Sequence, residues 1–371
     1  MTQRTKPPFR AEHVGSLLRP AALKQARLDR AADKIDAAQL RAIEDEAIRE
    51  LVRQQEEVGL RAVTDGEFRR DSWHIDFYQQ IGGLVARGAA PAIKFKTQSA
   101  EIDYVMPSLQ IEARLSLPQT IFAADFTFLK SIAHATPKLT IPSPSVLHRR
   151  AIAALGNAAL YRDIDSFWRD LAAVYAQEIA QLGALGCTYL QIDDTSFATL
   201  CDPAQREGLS KIGADGEHIH ETYIRVFNES VKTRPAGISI VTHTCRGNHR
   251  TAWFASGGYD FIADALFNKL DVDGFFLEYD DERSGDFAPL RFVPKGKTVI
   301  LGLVTTKLSA LETKDALKRR IEEAAKYCPL DQLALSPQCG FSSTVEGNDV
   351  SVADEIAKLK LVVETAKEVW G

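Results

Sequence analysis

The stretch GISIVTHTC, residues 237–245, is a run of strand-forming residues that ends in polar side chains with metal-binding capacity. A polar, glycine-containing turn, RGNHR at 246–250, follows it. The same unit recurs along the chain: a short β-rich run with a polar end, then a loop, then a helical pattern. Eight runs fit: FRAEHVGSL (9–17), RAVTDGE (61–67), KLTIPSP (138–144), TYLQIDD (188–194), GISIVTHTC (237–245), GFFLEYD (274–280), TVILGLV (298–304) and QLALSPQCG (332–340). Between most of them lie amphipathic helical patterns. In 36–58, Leu40, Ile43, Ala47 and Leu51 recur at spacings of three and four, with Asp36 placed as N-cap and Gly59 as C-terminal stop. Further helices are expected over roughly 163–185, 203–233, 309–327 and 351–369; in the last, Ile356, Leu359, Val363, Ala366 and Trp370 make the stripe.

Strands that alternate with helices imply a parallel sheet. Eight repeats predict an α/β fold of the (β/α)8 TIM-barrel type, a single catalytic domain over 1–371, with an open doubly wound sheet as the alternative. The segment 68–137 is too long for one helix and carries β-like pieces and prolines. It is expected to be an insertion after strand 2, a hairpin plus loop over the barrel mouth. No G-x-G-x-x-G and no Walker loop occurs, so nothing points to a dinucleotide or a P-loop nucleotide.

The chain has 371 residues, 45% of them hydrophobic, and a net charge of −5. Its basic residues are scattered, which argues against a nucleic-acid partner. No apolar run approaches the roughly 18–20 residues that span a bilayer. The N-terminal MTQRTKPPFR lacks the apolar region of a secretory signal. Five widely spaced cysteines, an odd number, speak against a disulfide framework and for a reducing, cytoplasmic setting.

In barrels of this type the chemistry lies at the C-terminal ends of the strands. Those ends carry His13 and Ser16, Asp65 and Glu67, Asp193 and Asp194, His243 and Cys245, Glu278, and Cys339. Any one of these would ordinarily be a loop solvator or a cap; their recurrence after separate strands is what points to a site. His243 and Cys245 stand two apart on a strand and so share a face. With Glu278 and Cys339 they make a reasonable tetrahedral zinc set. Cys187 and Cys328 precede strands and are read as buried small hydrophobes, Cys201 as structural. His218 and His220 are read as solvated surface, and His249 as near the site without a ligand role. Two thiolates, a carboxylate and Zn²⁺ sum to about −1, which leaves an added thiolate nucleophilic. That suits alkyl transfer to sulfur better than water activation, which favours harder ligands.

The motifs HVGSLLRP (13–20), TDGEFRRD (64–71), QIDD (191–194), THTC (242–245), FFLEYD (275–280) and SPQCGF (336–341) stand in an order that resembles the catalytic domain of cobalamin-independent methionine synthase. The likeness covers most of the chain and is nearest the single-barrel branch, about half the length of the full enzyme, whose second, N-terminal barrel lies outside this sequence. The resemblance implies zinc at the barrel mouth, held by His243, Cys245, Glu278 and Cys339 and joined by the thiol of homocysteine. It places His13, Gly15 and Ser16 at the substrate, with Ser16 toward its carboxylate, and Glu67 and Asp193 on its ammonium. The sequence departs from the family after the QID aspartate, where Asp194, Thr195 and Ser196 stand. The segment IPSPSVLHRR (141–150) falls where a methyl donor would be placed.

The expected function is therefore methyl transfer to the thiol of homocysteine, from a methyl-folate or from a methyl-corrinoid that is free or carried on a partner protein. Alkylation of another thiol of the coenzyme M type is the alternative, and Glu67 and Asp193 speak against it because a sulfonate thiol has no ammonium. A zinc hydrolase with Glu67 or Asp193 as base, and a non-catalytic metal or thiol sensor, are the readings from other classes. The sequence does not set the oligomeric state; a homodimer is the assembly weighed.

Overall fold

A computed structural model describes residues 4–97, 99–151, 160–211 and 213–371. The first part runs α1 (Ala21–Ala31), α2 (Ala37–Val58), β1 (Ala62–Val63), α3 (Ile75–Tyr78), β2 (Gly82–Ala89), β3 (Ile93–Lys96), β4 (Glu101–Tyr104), β5 (Pro107–Ser116), α4 (Ala123–Ile132) and β6 (Thr136–Pro137). The middle continues with β7 (Leu139–Pro142), α5 (Pro144–Ala151), α6 (Ile164–Ala184), β8 (Tyr189–Asp194), α7 (Ser196–Leu200), α8 (Pro203–Lys211) and α9 (Ile219–Val231). The last part holds β9 (Ser239–Thr244), α10 (Ala263–Lys269), β10 (Gly274–Glu278), β11 (Thr298–Val304), α11 (Lys314–Ala324), β12 (Leu333–Pro337) and α12 (Val352–Trp370).

Strands β7 to β12 form a six-stranded parallel sheet in chain order, the arrangement of a TIM-barrel-like α/β domain. All six are buried along their length apart from Ser239. That matches their near-continuous Val, Ile, Leu and Phe content, because both faces of such a sheet are covered. The two N-terminal runs are shorter than expected. Residues 9–17 make one bridge, Ala11 to Leu335, flanked by Glu12 N to Leu335 O at 2.9 Å and Leu335 N to Arg10 O at 2.9 Å. Of 61–67 only Ala62–Val63 is strand, paired with β6. Both runs leave the ladder at positions of positive φ. Gly15 has φ +135°, and Gly66 and Glu67 have φ +67° and +59°.

The end of β1 lacks a strand on one side, and a side chain takes that place. The amide of Gln55, from α2, donates to Thr64 O at 2.9 Å and accepts from Thr64 N at 3.0 Å. Helix α2 begins and ends as expected, with a capping box between Asp36 and Gln39 and a left-handed Gly59. Its inward face is rotated from the expected stripe: Glu44, Ile48, Leu51, Val52 and Gln55 are buried, whereas Ile43 is exposed. Polar bonding shifts the face, Glu44 pairing with Arg27 at 3.1 Å.

Helices α6, α11 and α12 match their expected segments, with side-chain caps from Asp163, Thr313 and Ser351. The single helix expected over 203–233 is two, α8 and α9; residue 212 within that span is not described. Gly213 is left-handed, and a Cβ on Gly216 would stand 2.3 Å from Arg206 O, so the chain folds back here.

The segment 68–137 does not form one insertion. Its last part is regular: α4 packs beside α2, with Arg41 to Asp125 at 2.8 Å, and β6 pairs with β1. The extra structure is concentrated between α3 and β5, as two antiparallel pairs, β2 with β5 and β3 with β4. Backbone bonds tie the second pair to the loop after β9: Trp253 N to Lys96 O at 2.9 Å and Lys96 N to Trp253 O at 2.6 Å. Inside the sheet, Phe9, Val14, Ala62, Tyr189, Val241, Phe276, Ile300 and Ala334 form one apolar cluster. No helix among the described residues is long and apolar enough to cross a membrane.

Candidate metal centre

Parallel register sets the site. Asp193 on β8 pairs with His243 on β9. Thr244 pairs with Leu277 on β10, which brings the next residue of each strand, Cys245 and Glu278, to the same end of the sheet. Cys339 follows β12 by two residues. One ligand atom each from His243, Cys245 and Cys339 lies within 4.8 Å of the others, and all three residues are buried.

The two sulfurs stand 3.4 Å apart, and all five cysteines are free. A disulfide would need about 2.05 Å. Two thiolates sharing a tetrahedral zinc at about 2.3 Å would lie roughly 3.8 Å apart. Both ring nitrogens of His243 are buried without a hydrogen-bond partner, as is Oε1 of Glu278. Unpaired buried ligand atoms are costly unless something binds them. The donor set therefore fits zinc. Hydrogen bonding between the two sulfur groups, with His243 and Lys307 nearby, holds Cys339 well below the ordinary thiol range, while the same contact and burial push Cys245 well above it.

Glu278 is not among the three clustered ligands. Its Oε2 accepts from Arg246 N at 3.1 Å, and its Oε1 lies 3.5 Å from Arg283 and 3.8 Å from Lys307. Burial pushes its pKa up, but Lys307, Arg246 and Arg283 outweigh that and hold it low. A fixed carboxylate of this kind suits either a fourth ligand or a counter-charge behind the metal.

Beside the triad opens a cavity of about 290 Å³. Ser16, Glu67 and Asp193 line it together with His243, Cys245 and Cys339. His13 and Gly15 do not. His13 is buried below, with Nε2 3.3 Å from Ala62 O, and burial lowers its pKa. Gly15 serves packing, since a Cβ there would stand 2.6 Å from Thr140 Cγ2. Glu67 Oε1 accepts from Thr140 Oγ1 at 2.6 Å, its Oε2 is unpartnered, and burial raises its pKa. Burial likewise pushes Asp193 up to about 7, against the pull of His243. Both acids are thus buried on the cavity wall, and Glu67 also lies 3.4 Å from the Arg70 guanidinium.

Several further residues shape the site; Arg19 and Gln191 stand inside HVGSLLRP and QIDD, and Arg149 and Arg150 inside IPSPSVLHRR, but the sequence assigns no individual role to them. Gln191 donates to Asp193 Oδ1 at 2.7 Å, and its Oε1 accepts from Lys138 at 3.2 Å. Lys138 in turn lies 3.6 Å from Glu12. Arg19 donates to Glu67 O at 2.6 Å, Arg70 O at 2.7 Å and Ser342 Oγ at 2.7 Å, so one guanidinium clamps two site loops. Trp73, Phe95 and Tyr104 of the inserted segment, with Arg149 and Arg150 of α5, also line the cavity. The length, β-like pieces and prolines of 68–137 point to a cover; which side chains it turns inward depends on pairing that no local pattern sets. Cys187, Cys201 and Cys328 are buried away from the cavity, and His218 is exposed on Asp215 at 3.0 Å. His249 stacks on Tyr104 at 4.5 Å in the cavity wall.

Comparison with known proteins places this geometry. Residues 9–368 match the family profile described as "Cobalamin-independent synthase, Catalytic domain". The chain is 44% identical over 98% of its length to the uncharacterized protein YxjH of Bacillus subtilis strain 168, covering 96% of that protein. It is 24% identical over 96% of its length to the 5-methyltetrahydropteroyltriglutamate–homocysteine methyltransferase of Bacillus licheniformis, covering 42% of that longer protein. A crystal structure from Listeria monocytogenes, of a protein proposed to be a vitamin-B12-independent methionine synthase, superposes with a TM-score of 0.77 at 35% identity, covering 99% of this chain and 100% of that one.

Proposed function

The chain belongs to the family of cobalamin-independent methionine synthase catalytic domains, and from that premise we propose that it is a zinc-dependent methyltransferase whose acceptor is the thiol of homocysteine. The observation that carries this reading is the triad His243, Cys245 and Cys339 opening directly onto a cavity with two buried acids, Glu67 and Asp193. Zinc held by the triad, with Glu278 as the further anionic group, would lower the pKa of an incoming thiol and keep it nucleophilic.

The chain's own residues do the positioning. Glu67 and Asp193 receive the ammonium, whose charge keeps both carboxyls ionised. The Ser16 hydroxyl donates to the amino acid's carboxylate. These contacts orient the sulfur toward the donor methyl for in-line displacement, in which the S–C bond forms as the donor's bond to its methyl breaks. Phe95, Tyr104 and Trp73 keep the cavity wall dry. The same reading takes the sheet as a closed (β/α)8 barrel, supported by the Ala11–Leu335 bridge, the β1–β6 pairing and the shared interior cluster.

A donor screen with homocysteine fixed tests the proposal. Mono- and polyglutamyl methyl-folates and methylcobalamin are offered to the zinc-loaded protein, and methionine is read by mass spectrometry. Methionine from one of them is expected. None from any, with zinc retained, would contradict the reading.

A further inference from the structure

Beneath the cavity lies a fully buried ion pair that does not reach it. The side chains of Lys138, just before β7, and Glu12 have no solvent exposure, and their charges stand 3.6 Å apart. Glu12 Oε1 accepts from Phe9 N and from the Tyr189 hydroxyl, each at 2.8 Å. The Lys138 ammonium lies 4.9 Å from the centroid of the Phe276 ring. It donates to His13 O and to Gln191 Oε1, the latter at 3.2 Å. Gln191 Nε2 in turn donates to Val14 O at 2.5 Å and to Asp193 Oδ1 at 2.7 Å. Gln191 and Asp193 stand two apart on β8 and so share a face, which lets one side chain bond the other.

A buried ion pair is weak evidence of stability. Desolvating two charges offsets their attraction, and an apolar pair of similar volume is often as stable. What this pair supplies is direction. An ammonium only donates, so the Gln191 amide turns its oxygen to Lys138 and its N–H groups away. Those N–H groups meet Asp193 and Val14 O. The reverse orientation would set the amide oxygen against the Asp193 carboxylate. The carbonyls of His13 and Val14, held in this way, lead directly into Gly15 and Ser16. One charge therefore bears on two parts of the cavity wall, the Asp193 carboxyl and the run that carries Ser16.

We propose that Lys138 is a positioning residue of the acceptor site: with Glu12 as its counter-charge, it fixes the Gln191 amide so that an N–H is presented to Asp193, and it holds the His13 carbonyl ahead of Ser16. That an amino-acid thiol occupies the site rests on the methyltransferase reading; the orientation of the amide does not.

The test replaces both charges, because K138M alone would strand a buried carboxylate. E12Q/K138M, loaded with zinc, should fold and keep its metal. Its Kd for homocysteine, read by calorimetry, should rise about tenfold, the effect of one misdirected charge-assisted hydrogen bond. K358M breaks another buried pair, Lys358–Glu312 at 3.3 Å, away from the cavity. It should lower the melting temperature and leave that Kd at the wild-type value. The second readout needs no ligand. In protein carrying nitrogen-15 in its glutamine side chains, D193N should shift the Gln191 N–H resonances in the wild-type background and not in E12Q/K138M, where the amide has turned. If E12Q/K138M does not fold, Q191E carries the affinity test: it offers Lys138 an acceptor but gives Asp193 no N–H, and should weaken homocysteine binding by the same factor with zinc retained. Gln191 resonances that still follow D193N in E12Q/K138M, or that ignore it in the wild-type background, would overturn the proposal, as would wild-type affinity in E12Q/K138M or in Q191E. Homocysteine that fails to bind the wild-type protein would strike the acceptor reading alone, and the amide resonances would still decide the role of Lys138.

Discussion

Asp193 and His243 are register partners on adjacent parallel strands, so a buried carboxyl stands directly beside an imidazole of the metal triad. The carboxyl is held by Gln191 and left with acceptor capacity toward the cavity. Replacing it with its neutral isostere, Asp193→Asn, should raise KM for homocysteine by about 10- to 100-fold, the cost of one charge-assisted hydrogen bond in a buried site. Zinc content should stay at the wild-type level. Steady-state kinetics with parallel metal analysis checks this, and an unchanged KM removes Asp193 from the acceptor site.

Gly340 follows the ligand Cys339, and a Cβ there would lie 1.9 Å from Ser16 Oγ. Gly340→Ala therefore forces Ser16 or the Cys339 loop to move. Overpacking of this kind costs about 1–3 kcal/mol, and here the loss should appear as weaker zinc retention and weaker thiol binding together. Chelator competition reads the first and KM the second. A variant that keeps both would show that the loop yields freely.

The inserted pair β3–β4 touches the loop after Cys245 through the Lys96–Trp253 backbone bonds. Proline at position 96 removes the N–H that bonds Trp253 O. Losing about 1 kcal/mol there should speed amide exchange at Trp253 by about fivefold and raise KM for the donor. Exchange at wild-type rates would mean that the cover is held elsewhere.

Stability should fall with rising pH because of Glu355. Burial pushes this carboxyl to about 8 although its Oε2 accepts from Leu18 N at 2.9 Å. The folded pKa lies above the unfolded one, so the folded state holds a proton that the unfolded state releases. Stability is full below the unfolded carboxyl's range, declines as pH rises toward 8, and is flat above. Glu355→Gln removes that dependence. It should raise stability at pH 8 by on the order of 1–4 kcal/mol, read as a higher melting temperature, and change it little at pH 5. Equal effects at both pH values would contradict the burial argument.

The parts legible in the sequence are those fixed by local chemistry. Six buried strands, the helix capped by Asp36 and the helices near 163–185, 309–327 and 351–369 follow from periodicity and capping. His243 and Cys245 follow from the two-residue repeat of a strand. What was not legible depends on distant pairing. Residues 9–17 and 61–67 look like strands by composition, but Gly15, Gly66 and Glu67 turn them out of the ladder. Helix 203–233 breaks because Gly216 approaches Arg206 O. Arg19, Gln191 and Lys138 act through partners far along the chain. A hairpin over the mouth is expected from the composition of 68–137, but its attachment through backbone bonds between residues 96 and 253 depends on distant pairing.

Zinc analysis of purified protein and of C245S, C339S and C328S tests the central claim most directly. The account predicts about one zinc per wild-type chain, a marked loss in C245S and C339S, and none in C328S, whose sulfur is buried away from the cavity. Equal zinc in all four proteins, or equal loss in all three variants, would contradict it.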